Sequence, residues 1–396
     1  MNSREYIIQG FKASAVVAGL KKAEELDLAL IFCEKAAVAA GVFTTNKVKA
    51  APVILSQENL RAGKARAIIA NAGNANACTG KEGLDNARRM AHLVAEELGI
   101  EPHEVLVAST GVIGSPLNMD LIARAIPDLA EGLSPEGIHH ATQAIMTTDS
   151  FPKICRFEGE ADGKPYGILG IAKGAGMIMP NMATMLCFIL SDVQIDAIEL
   201  KNAVSGSVET TFNRISVDGD TSTNDTVLAL ANGMAGNTSL SPGDYESFQK
   251  GLSQVMNELA TMIVRDGEGA TKVVHVKVKG AATHREALTA ARTIANSNLV
   301  KTAFFGEDPN WGRIMGALGR SGVRMREEDV SIWVDDVKIV EGGLGNGTKQ
   351  EEKAADKMRN KEFSVMIDLH QGEYEDQIIT CDLTHDYIKI NADYRT

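Results

Sequence analysis

The chain has 396 residues, of which 44% are hydrophobic and 23% are charged. This length exceeds one average domain and predicts two lobes, or two interleaved halves, with a sizeable core. The 40 basic and 52 acidic residues give a net charge of −12, which argues against nucleic acid or an anionic membrane surface as a partner.

Cysteine usage and the N-terminal region indicate a cytoplasmic protein. The five cysteines are odd in number and contain no Cys-x-x-Cys pair, which argues against a disulfide framework or a zinc site and favours a reducing compartment. The apolar stretch over residues 13–20 is flanked by lysines. It is too short to span a bilayer and lacks the layout of a signal peptide.

Strand and helix patterns alternate along the first half of the chain. Apolar spacing predicts strands over residues 65–73 and 104–110 and a helix over 86–100. A second helix is expected to open with Ser134 as its N-cap and Pro135 at its first helical position.

The middle and the second half continue this alternation. The sequence predicts strands over 166–174, from Thr184 onward, over 271–280 and in the late segments 329–340, 363–372 and 375–383, and helices over 197–215 and 285–304. Because strands predominate late in the chain, we expect helices that cover mixed sheets rather than one parallel sheet.

Thr184 stands where a loop rich in glycine and methionine meets an apolar run. The simpler interpretation is a β-branched residue at the start of a strand. The small Ala183 before it, the flexible loop and the rigid apolar run favour another, in which the chain is cut between Ala183 and Thr184. The freed α-amine, with a pKa of about 7.7–8, would then be the base that activates the threonine hydroxyl as a nucleophile.

Two other segments are candidates for binding or catalysis. In residues 108–114, a strand that ends in Thr110-Gly111 can turn its N–H groups outward to hold an oxyanion, or it can be an ordinary strand-to-helix turn. Glu268 lies between two glycines, which suits either close approach to a ligand or a plain turn.

Metal sites are not supported by the sequence. The oxygen-rich segment 216–225 lacks the glycine at the sixth position and the distal glutamate of an EF-hand loop, so we do not expect calcium there. The eight histidines are scattered, and the adjacent pair lies on a helix where neighbouring positions face apart.

Five segments carry a family likeness that runs from "GFKASAVVAGLKK" near the start to "INADYRT" at the end. They are "ASTGVIG", "TTDSFPK", "KGAGMIMPNMATML", "VRDGEGATK" and "GEDPNWGRI". Together they resemble the ArgJ family, the ornithine acetyltransferases (glutamate N-acetyltransferases) of arginine biosynthesis. The resemblance implies an α/β (α+β) fold, a four-layer αββα sandwich like that of the hydrolases with an N-terminal nucleophile but with different connectivity, of the ArgJ/DmpA-like type.

The resemblance also implies processing and site residues. It implies cleavage between Ala183 and Thr184 into an α chain, 1–183, and a β chain, 184–396, which stay associated as an α₂β₂ heterotetramer. Thr184 matches the family's nucleophile, and Thr110 and Gly111 match its oxyanion-hole positions. The positions that match substrate contacts are Thr147, Lys173, Thr184, Glu268, Asn391 and Thr396.

The implied reaction moves an acetyl group from N-acetylornithine to glutamate, giving ornithine and N-acetylglutamate. It is a ping-pong cycle through an acetyl-threonine ester, without cofactor or metal. Some members of the family also use acetyl-CoA as a co-substrate, and the sequence leaves that point open. The alternatives are an aminopeptidase of the same architecture, in which water takes the acyl group, and an uncleaved binding protein.

Overall fold

The computed structural model describes residues 6–21, 24–179 and 185–393. They divide into two compact units. The first takes in the described residues up to Asn213 together with Asp220–Ile263, and the second takes in Arg214–Gly219 and the described residues from Val264 onward. Ala183, Thr184 and Thr396 lie outside the described residues, and so does the predicted division between the α and β chains.

The described residues contain strands and helices that alternate along much of the chain. The strands are β1 (Phe11–Val16), β2 (Leu28–Phe43), β3 (Lys64–Asn71), β4 (Val105–Ser109), β5 (Lys153–Ala161), β6 (Lys164–Lys173), β7 (Leu186–Ser191), β8 (Ile215–Ser216), β9 (Thr226–Ala231), β10 (Val273–Ala281), β11 (Ser331–Val334), β12 (Val337–Glu341), β13 (Leu344–Gly345), β14 (Glu362–Asp368) and β15 (Tyr374–Cys381). The helices are α1 (Ala51–Asn59), α2 (Gly80–Leu98), α3 (Met119–Glu131), α4 (Ile138–Ala144), α5 (Ala197–Thr210), α6 (Pro242–Arg265), α7 (His284–Ala295), α8 (Asn298–Phe305), α9 (Trp311–Gly319), α10 (Thr348–Met358) and α11 (His385–Asp393).

The first unit is built on a mixed sheet. Its strand order is β4-β3-β2-β9-β7-β6-β5, and β1 pairs with β2 at one side of this path. The β3–β4 and β7–β9 pairs are parallel, whereas the other neighbours are antiparallel. Every residue of β7 and β9 is buried, so the sheet's central strands are covered on both faces, which explains their unbroken apolar sequence.

Alternate side chains of β3 enter two separate cores, as the two-residue period of a strand requires. Ile68 and Ala70 pack with residues of α4, and Ala67 and Ile69 pack with residues of α1, α2 and α3. The structure therefore confirms an α+β class in which helices cover a mixed sheet.

The second unit has its own mixed sheet and core. Its strand order is β13-β12-β11-β14-β10-β15-β8, with parallel β10–β14 and β8–β15 pairs and antiparallel pairs elsewhere. Apolar residues of β10, β11 and β14 pack with α7, α9 and α10 in one buried cluster.

Most of the predicted elements are confirmed. The strands expected over 65–73, 104–110, 166–174 and 271–280 are β3, β4, β6 and β10. The helices expected over 86–100 and 197–215 are α2, which begins earlier, at Gly80, and α5. The late strands are present as well, although segment 329–340 forms a hairpin of β11 and β12. Strand β7 begins at Leu186, and Thr184 itself is outside the described residues.

Two predicted helix boundaries are wrong. The helix expected from Ser134 begins at Ile138, because both backbone groups of Ser134 bond to Ala13 and keep this residue in an isolated bridge with Ala13. The helix expected over 285–304 is split into α7 and α8. Ser297 there has an extended backbone, and the Asn296 side chain accepts a hydrogen bond from Ser216.

Candidate active site

The end of β4 is a turn that only glycine fits at one position. The N–H of Thr110 donates to the carbonyl oxygen of Asn71 at 2.9 Å, which fixes the residue before the turn. Gly111 has φ +132°, and a Cβ added there would lie 2.3 Å from the carbonyl carbon of Gly73. No side chain can be accommodated at that distance, so the turn requires glycine.

Lys173 brings Thr110 and Thr147 together in the first unit. It is the last residue of β6 and is buried. Its Nζ donates to Thr147 Oγ1 at 2.7 Å and to Thr110 Oγ1 at 3.3 Å. A hydroxyl has one donor and two acceptor sites. Because the lysine uses an acceptor site of Thr110, the Thr110 proton can be donated to another oxygen.

Asp149 is a fully buried carboxylate that faces two lysines. It lies 2.7 Å from Lys153 Nζ and 3.8 Å from Lys173 Nζ, and its oxygens accept the N–H groups of Thr147 at 3.0 Å and Gly174 at 2.6 Å. Burial alone would raise its pKa, but Lys173, Lys153 and the hydrogen bonds outweigh burial and lower the pKa to about 2. Asp149 therefore stays ionised and fixes both Lys173 and the backbone beside Thr147.

Asn224 supports the turn at Thr110 and Gly111 through its side-chain amide. Its Nδ2 donates to the carbonyl oxygens of Ala75 at 2.6 Å and Ser109 at 2.8 Å. Ser109 directly precedes Thr110, so this buried amide joins the end of β4 to the loop that contacts Gly111. The contact determines where the N–H groups of the turn point.

Asp225 is a second fully buried carboxyl. Its pKa is shifted in the opposite direction to that of Asp149. Its Oδ1 accepts the N–H of Met185 at 3.0 Å, whereas its Oδ2 has no hydrogen-bond partner within the described part of the chain. Burial raises its pKa well above the usual value; bonds from Met185 and Thr44 and the charge of Lys173 oppose this only in part. Burial therefore disfavours the charged form of Asp225.

Two predicted site residues meet in the second unit. Asn391 Nδ2 donates to Glu268 Oε2 at 2.8 Å. Glu268 lies in a turn, and a Cβ added at Gly269 would lie 2.5 Å from the backbone nitrogen of Tyr387, at the start of α11. The glycine thus allows the turn to approach the helix that carries Asn391, so the interpretation as a turn and a role for Glu268 are compatible.

The structure thus brings the predicted site residues together in two groups. Thr110, Gly111, Thr147 and Lys173 meet in the first unit, and Glu268 and Asn391 meet in the second. Ala183, Thr184 and Thr396 lie outside the described residues.

The sequence analysis missed the polar residues that support the first group. These are Asp149, Lys153, Asn224 and Asp225. Asp149 and Lys153 lie in "TTDSFPK", and the last two lie in the segment weighed only as a calcium loop. Their buried polar character in otherwise apolar surroundings is apparent only in three dimensions.

The chemistry available in the first unit is electrostatic and acid–base. Within residues 6–21, 24–179 and 185–393, no group of three or more His, Cys, Asp or Glu side chains is placed to hold a metal ion. In the same ranges, no helix combines the length and apolar character that a membrane span needs. A buried lysine beside two threonine hydroxyls suits an anionic oxygen on a substrate.

Comparison with known proteins extends over nearly the whole chain. The ArgJ family model matches residues 12–396. The arginine biosynthesis bifunctional protein ArgJ of Geobacter sulfurreducens is 51% identical over 391 residues, 98% of this chain and 100% of that protein. The glutamate N-acetyltransferase of Methanocaldococcus jannaschii is 48% identical over 98% of this chain and 97% of that protein.

A solved structure supports the same assignment. The arginine biosynthesis bifunctional protein ArgJ of Bacillus halodurans is 42% identical, with a TM-score of 0.50, and the match covers 52% of this chain and 98% of that chain. The family model thus matches residues 12–396, and two relatives are about half identical over at least 97% of their own length. The chain belongs to the ArgJ family.

Proposed function

We propose that this protein is a glutamate N-acetyltransferase of arginine biosynthesis that moves the acetyl group from N-acetylornithine to glutamate. The observation that carries the proposal is the full-length match to the family, including a relative named glutamate N-acetyltransferase at 48% identity. The buried group of Thr110, Thr147 and Lys173 supports it, because acyl transfer requires donors beside a developing oxyanion.

The nucleophile of the proposed reaction is produced by cleavage between Ala183 and Thr184. The solved Bacillus halodurans chain is matched over 98% of its length by 52% of this chain. That chain is therefore about half as long as this one, as one of two fragments would be. The new α-amine of Thr184 acts as the base for its own hydroxyl.

The proposed cycle has two acyl-transfer steps through one covalent ester. Thr184 Oγ attacks the acetyl carbonyl of N-acetylornithine, and the α-amine takes the proton and passes it to the departing ornithine amine. Thr110 and Gly111 donate to the tetrahedral oxyanion. Glutamate then enters, its amine attacks the acetyl-threonine ester, and N-acetylglutamate leaves.

Charged side chains are the proposed recognition groups for the two amino acids. Both substrates carry a carboxylate, for which Lys173 is the proposed partner. Glu268, held by Asn391, is the proposed partner of a cationic substrate group. Thr147 and Thr396 complete the proposed substrate contacts.

The exchange replaces one amide by a similar amide, so we propose that it uses no cofactor. Acetyl-CoA is the proposed co-substrate of a second activity, which supplies new acetyl groups to glutamate. We further propose an α₂β₂ assembly in the cytoplasm.

The aminopeptidase alternative is not favoured, because the full-length relatives carry arginine biosynthesis and acetyltransferase names.

Intact-mass spectrometry after acid quench tests the proposal. Incubation with N-acetylornithine alone should release ornithine in a burst that matches the enzyme added, and the fragment that begins at Thr184 should gain one acetyl mass. Added glutamate should remove that mass, and the same assay with acetyl-CoA tests the second donor. Thr184→Ala is the control and should remain one unacetylated chain. Absence of the acetylated fragment, with intersecting initial-rate plots, would contradict the ping-pong mechanism.

A further inference from the structure

The backbone around Glu268 forms a hydrogen-bonded turn over residues 267–270. The N–H of Ala270 donates to the carbonyl oxygen of Gly267 at 2.8 Å. Gly269, at the third position of the turn, has φ +69°. A positive φ confined to the third position is typical of a type II turn, which favours glycine there. Glu268 therefore occupies the second position of a defined turn in the second unit.

The side chain of Asp382 holds the segment that follows this turn. The pairing of β10 with β15 ends here at Val273 and Cys381. Just beyond that pair, the buried Asp382 carboxylate accepts the N–H groups of Thr271 at 2.8 Å and Lys272 at 3.0 Å, and the Thr271 hydroxyl at 2.5 Å. One carboxylate thus fixes the two residues between the turn and β10.

Thr384, two residues further along, contacts the turn itself. Its buried hydroxyl donates to the carbonyl oxygen of Gly269 at 2.7 Å. Helix α11 begins at the next residue. The Asn391 amide of that helix donates to its own Tyr387 carbonyl oxygen at 3.0 Å and to Glu268 Oε2. The segment that joins β15 to α11 therefore bonds both to the backbone of the turn and to the carboxylate that the turn carries.

We propose that Asp382 and Thr384 are positioning residues that hold the Glu268 carboxylate where it meets the side-chain ammonium group of N-acetylornithine. This inference rests on the proposed function, in which Glu268 is the partner of a cationic substrate group. Neither Asp382 nor Thr384 is a substrate contact in the proposed cycle, so both act through the backbone of the turn.

The two substrates should depend on this support to different degrees. N-acetylornithine keeps an ammonium group at the end of its side chain, whereas the amine of glutamate has to be neutral when it attacks the acetyl-threonine ester. A displaced Glu268 should therefore impair the first half-reaction more than the second. In a ping-pong cycle, kcat/KM for each substrate reports its own half-reaction. The ratio of kcat/KM for N-acetylornithine to kcat/KM for glutamate, here termed the donor/acceptor ratio, thus measures the effect.

Asp382→Ala removes the support from the two backbone N–H groups. Because a displacement of about 1 Å can cost about 100-fold in rate, we expect the donor/acceptor ratio to fall about 10- to 100-fold. Asp382→Asn retains an oxygen for the two N–H groups, and its amide can donate to the Thr271 hydroxyl. This conservative variant should keep the normal ratio.

A second background shows whether the effect acts through Glu268. In Glu268→Gln, the turn no longer carries a carboxylate to position. Adding Asp382→Ala to that variant should therefore change the donor/acceptor ratio by no more than about twofold, since the two changes act on one interaction.

Asp368→Ala is the matched control for a loss that is only structural. Asp368 is also a buried carboxylate of the second unit, where it accepts the N–H of His370 at 3.0 Å and pairs with Lys279 at 3.2 Å. Lys279 lies opposite Asp368 and six residues along β10 from Val273, about 20 Å along the strand. We expect this variant to lower the melting temperature without changing the donor/acceptor ratio.

Thr384→Val is a second variant for the case in which Asp382→Ala does not fold. It keeps the volume of the side chain, removes the bond to the Gly269 carbonyl oxygen and should lower the donor/acceptor ratio in the same direction. An unchanged ratio in the folded variants, or a fall caused by Asp382→Ala that persists in Glu268→Gln, would overturn the inference and leave the proposed function intact. Failure of the unchanged enzyme to form an acetyl-enzyme from N-acetylornithine would overturn both.

Discussion

The ammonium nitrogen of Lys173 lies 2.7 Å from the hydroxyl oxygen of Thr147, and both residues belong to the first unit. This contact holds the lysine 3.3 Å from the Thr110 hydroxyl. The cation is therefore fixed by a neutral oxygen on each of two loops, with Asp149 behind it. The relationship leads directly to the first of five predictions.

Thr147→Val should lower kcat/KM for N-acetylornithine by about 10- to 100-fold. The variant keeps the volume of the side chain but removes an acceptor of a charge-assisted hydrogen bond, which contributes about 1.5–3 kcal/mol. Thr147→Ser retains the hydroxyl and should stay within about threefold of normal. Steady-state kinetics with both variants make the measurement, and equal activity of Thr147→Val and the unchanged enzyme would remove this contact from the mechanism.

Asp149→Asn should destabilise the fold by about 3–5 kcal/mol at pH 7, because it leaves Lys153 and Lys173 buried without their carboxylate. Urea unfolding monitored by circular dichroism measures the change. Glu341→Gln is the control, since Glu341 is an exposed partner of Lys338, and a surface pair of this kind contributes little. A loss for Asp149→Asn no larger than that of the control would contradict the prediction.

The stability of the unchanged protein should also depend on pH through Asp149. Its pKa is lowered from 3.8 to about 2 in the folded state, so its contribution is present above pH 4 and is lost as the pH falls from about 4 to 2. The lowered pKa corresponds to about 2 kcal/mol. Unfolding titrations at several pH values should show this loss, and Asp149→Asn should lack that part of it.

Gly111→Ala should impair both folding and turnover more than Gly114→Ala. Both glycines have positive φ, of +132° and +81°, so both substitutions introduce backbone strain of about 1–3 kcal/mol. At Gly111 the new Cβ would also meet the backbone of Gly73, whereas at Gly114 nothing lies within 4 Å. Melting temperatures and kcat compare the two. A Gly111→Ala enzyme with the properties of Gly114→Ala would show that the turn relaxes without cost.

Glu268→Gln should lower turnover at least about tenfold and leave a folded, cleaved protein. Its carboxylate is held by Asn391 at 2.8 Å, so Asn391→Ala should lower turnover as well, and the double variant should be no worse than the more impaired single variant. Glu375→Gln, an exposed carboxylate in the same unit, is the control. Additive losses would show that Glu268 and Asn391 act independently.

Local sequence patterns predicted the elements whose burial follows a simple period. The strand over 271–280 alternates apolar and polar residues and is confirmed as β10. The helix over 285–304 was predicted as one element because its apolar spacing continues through Asn296 and Ser297. The break there comes with a bond from Ser216 to Asn296, and a contact across 80 residues leaves no trace in local periodicity.

The site was predicted through its motifs and not through its supporting residues. Thr110, Thr147 and Lys173 belong to three separate segments that the structure brings into contact. Asp225 could not be identified in the same way, because its significance depends on a bond to Met185, 40 residues earlier, and on burial that only the folded chain produces. The roles of all the predicted residues, including Thr184, stay predictions.

The order of the first sheet has a consequence for the two chains that cleavage would create. Strands β7 and β9 would belong to the C-terminal fragment, yet they lie between β2 and β6 of the N-terminal fragment. Neither fragment would contain the whole of this first sheet by itself, since the pairings of β2 with β9 and of β6 with β7 would join two molecules. Cutting would thus turn a unimolecular folding reaction into a bimolecular one, and recovery of the denatured mature protein would depend on its concentration, whereas that of the uncut chain would not.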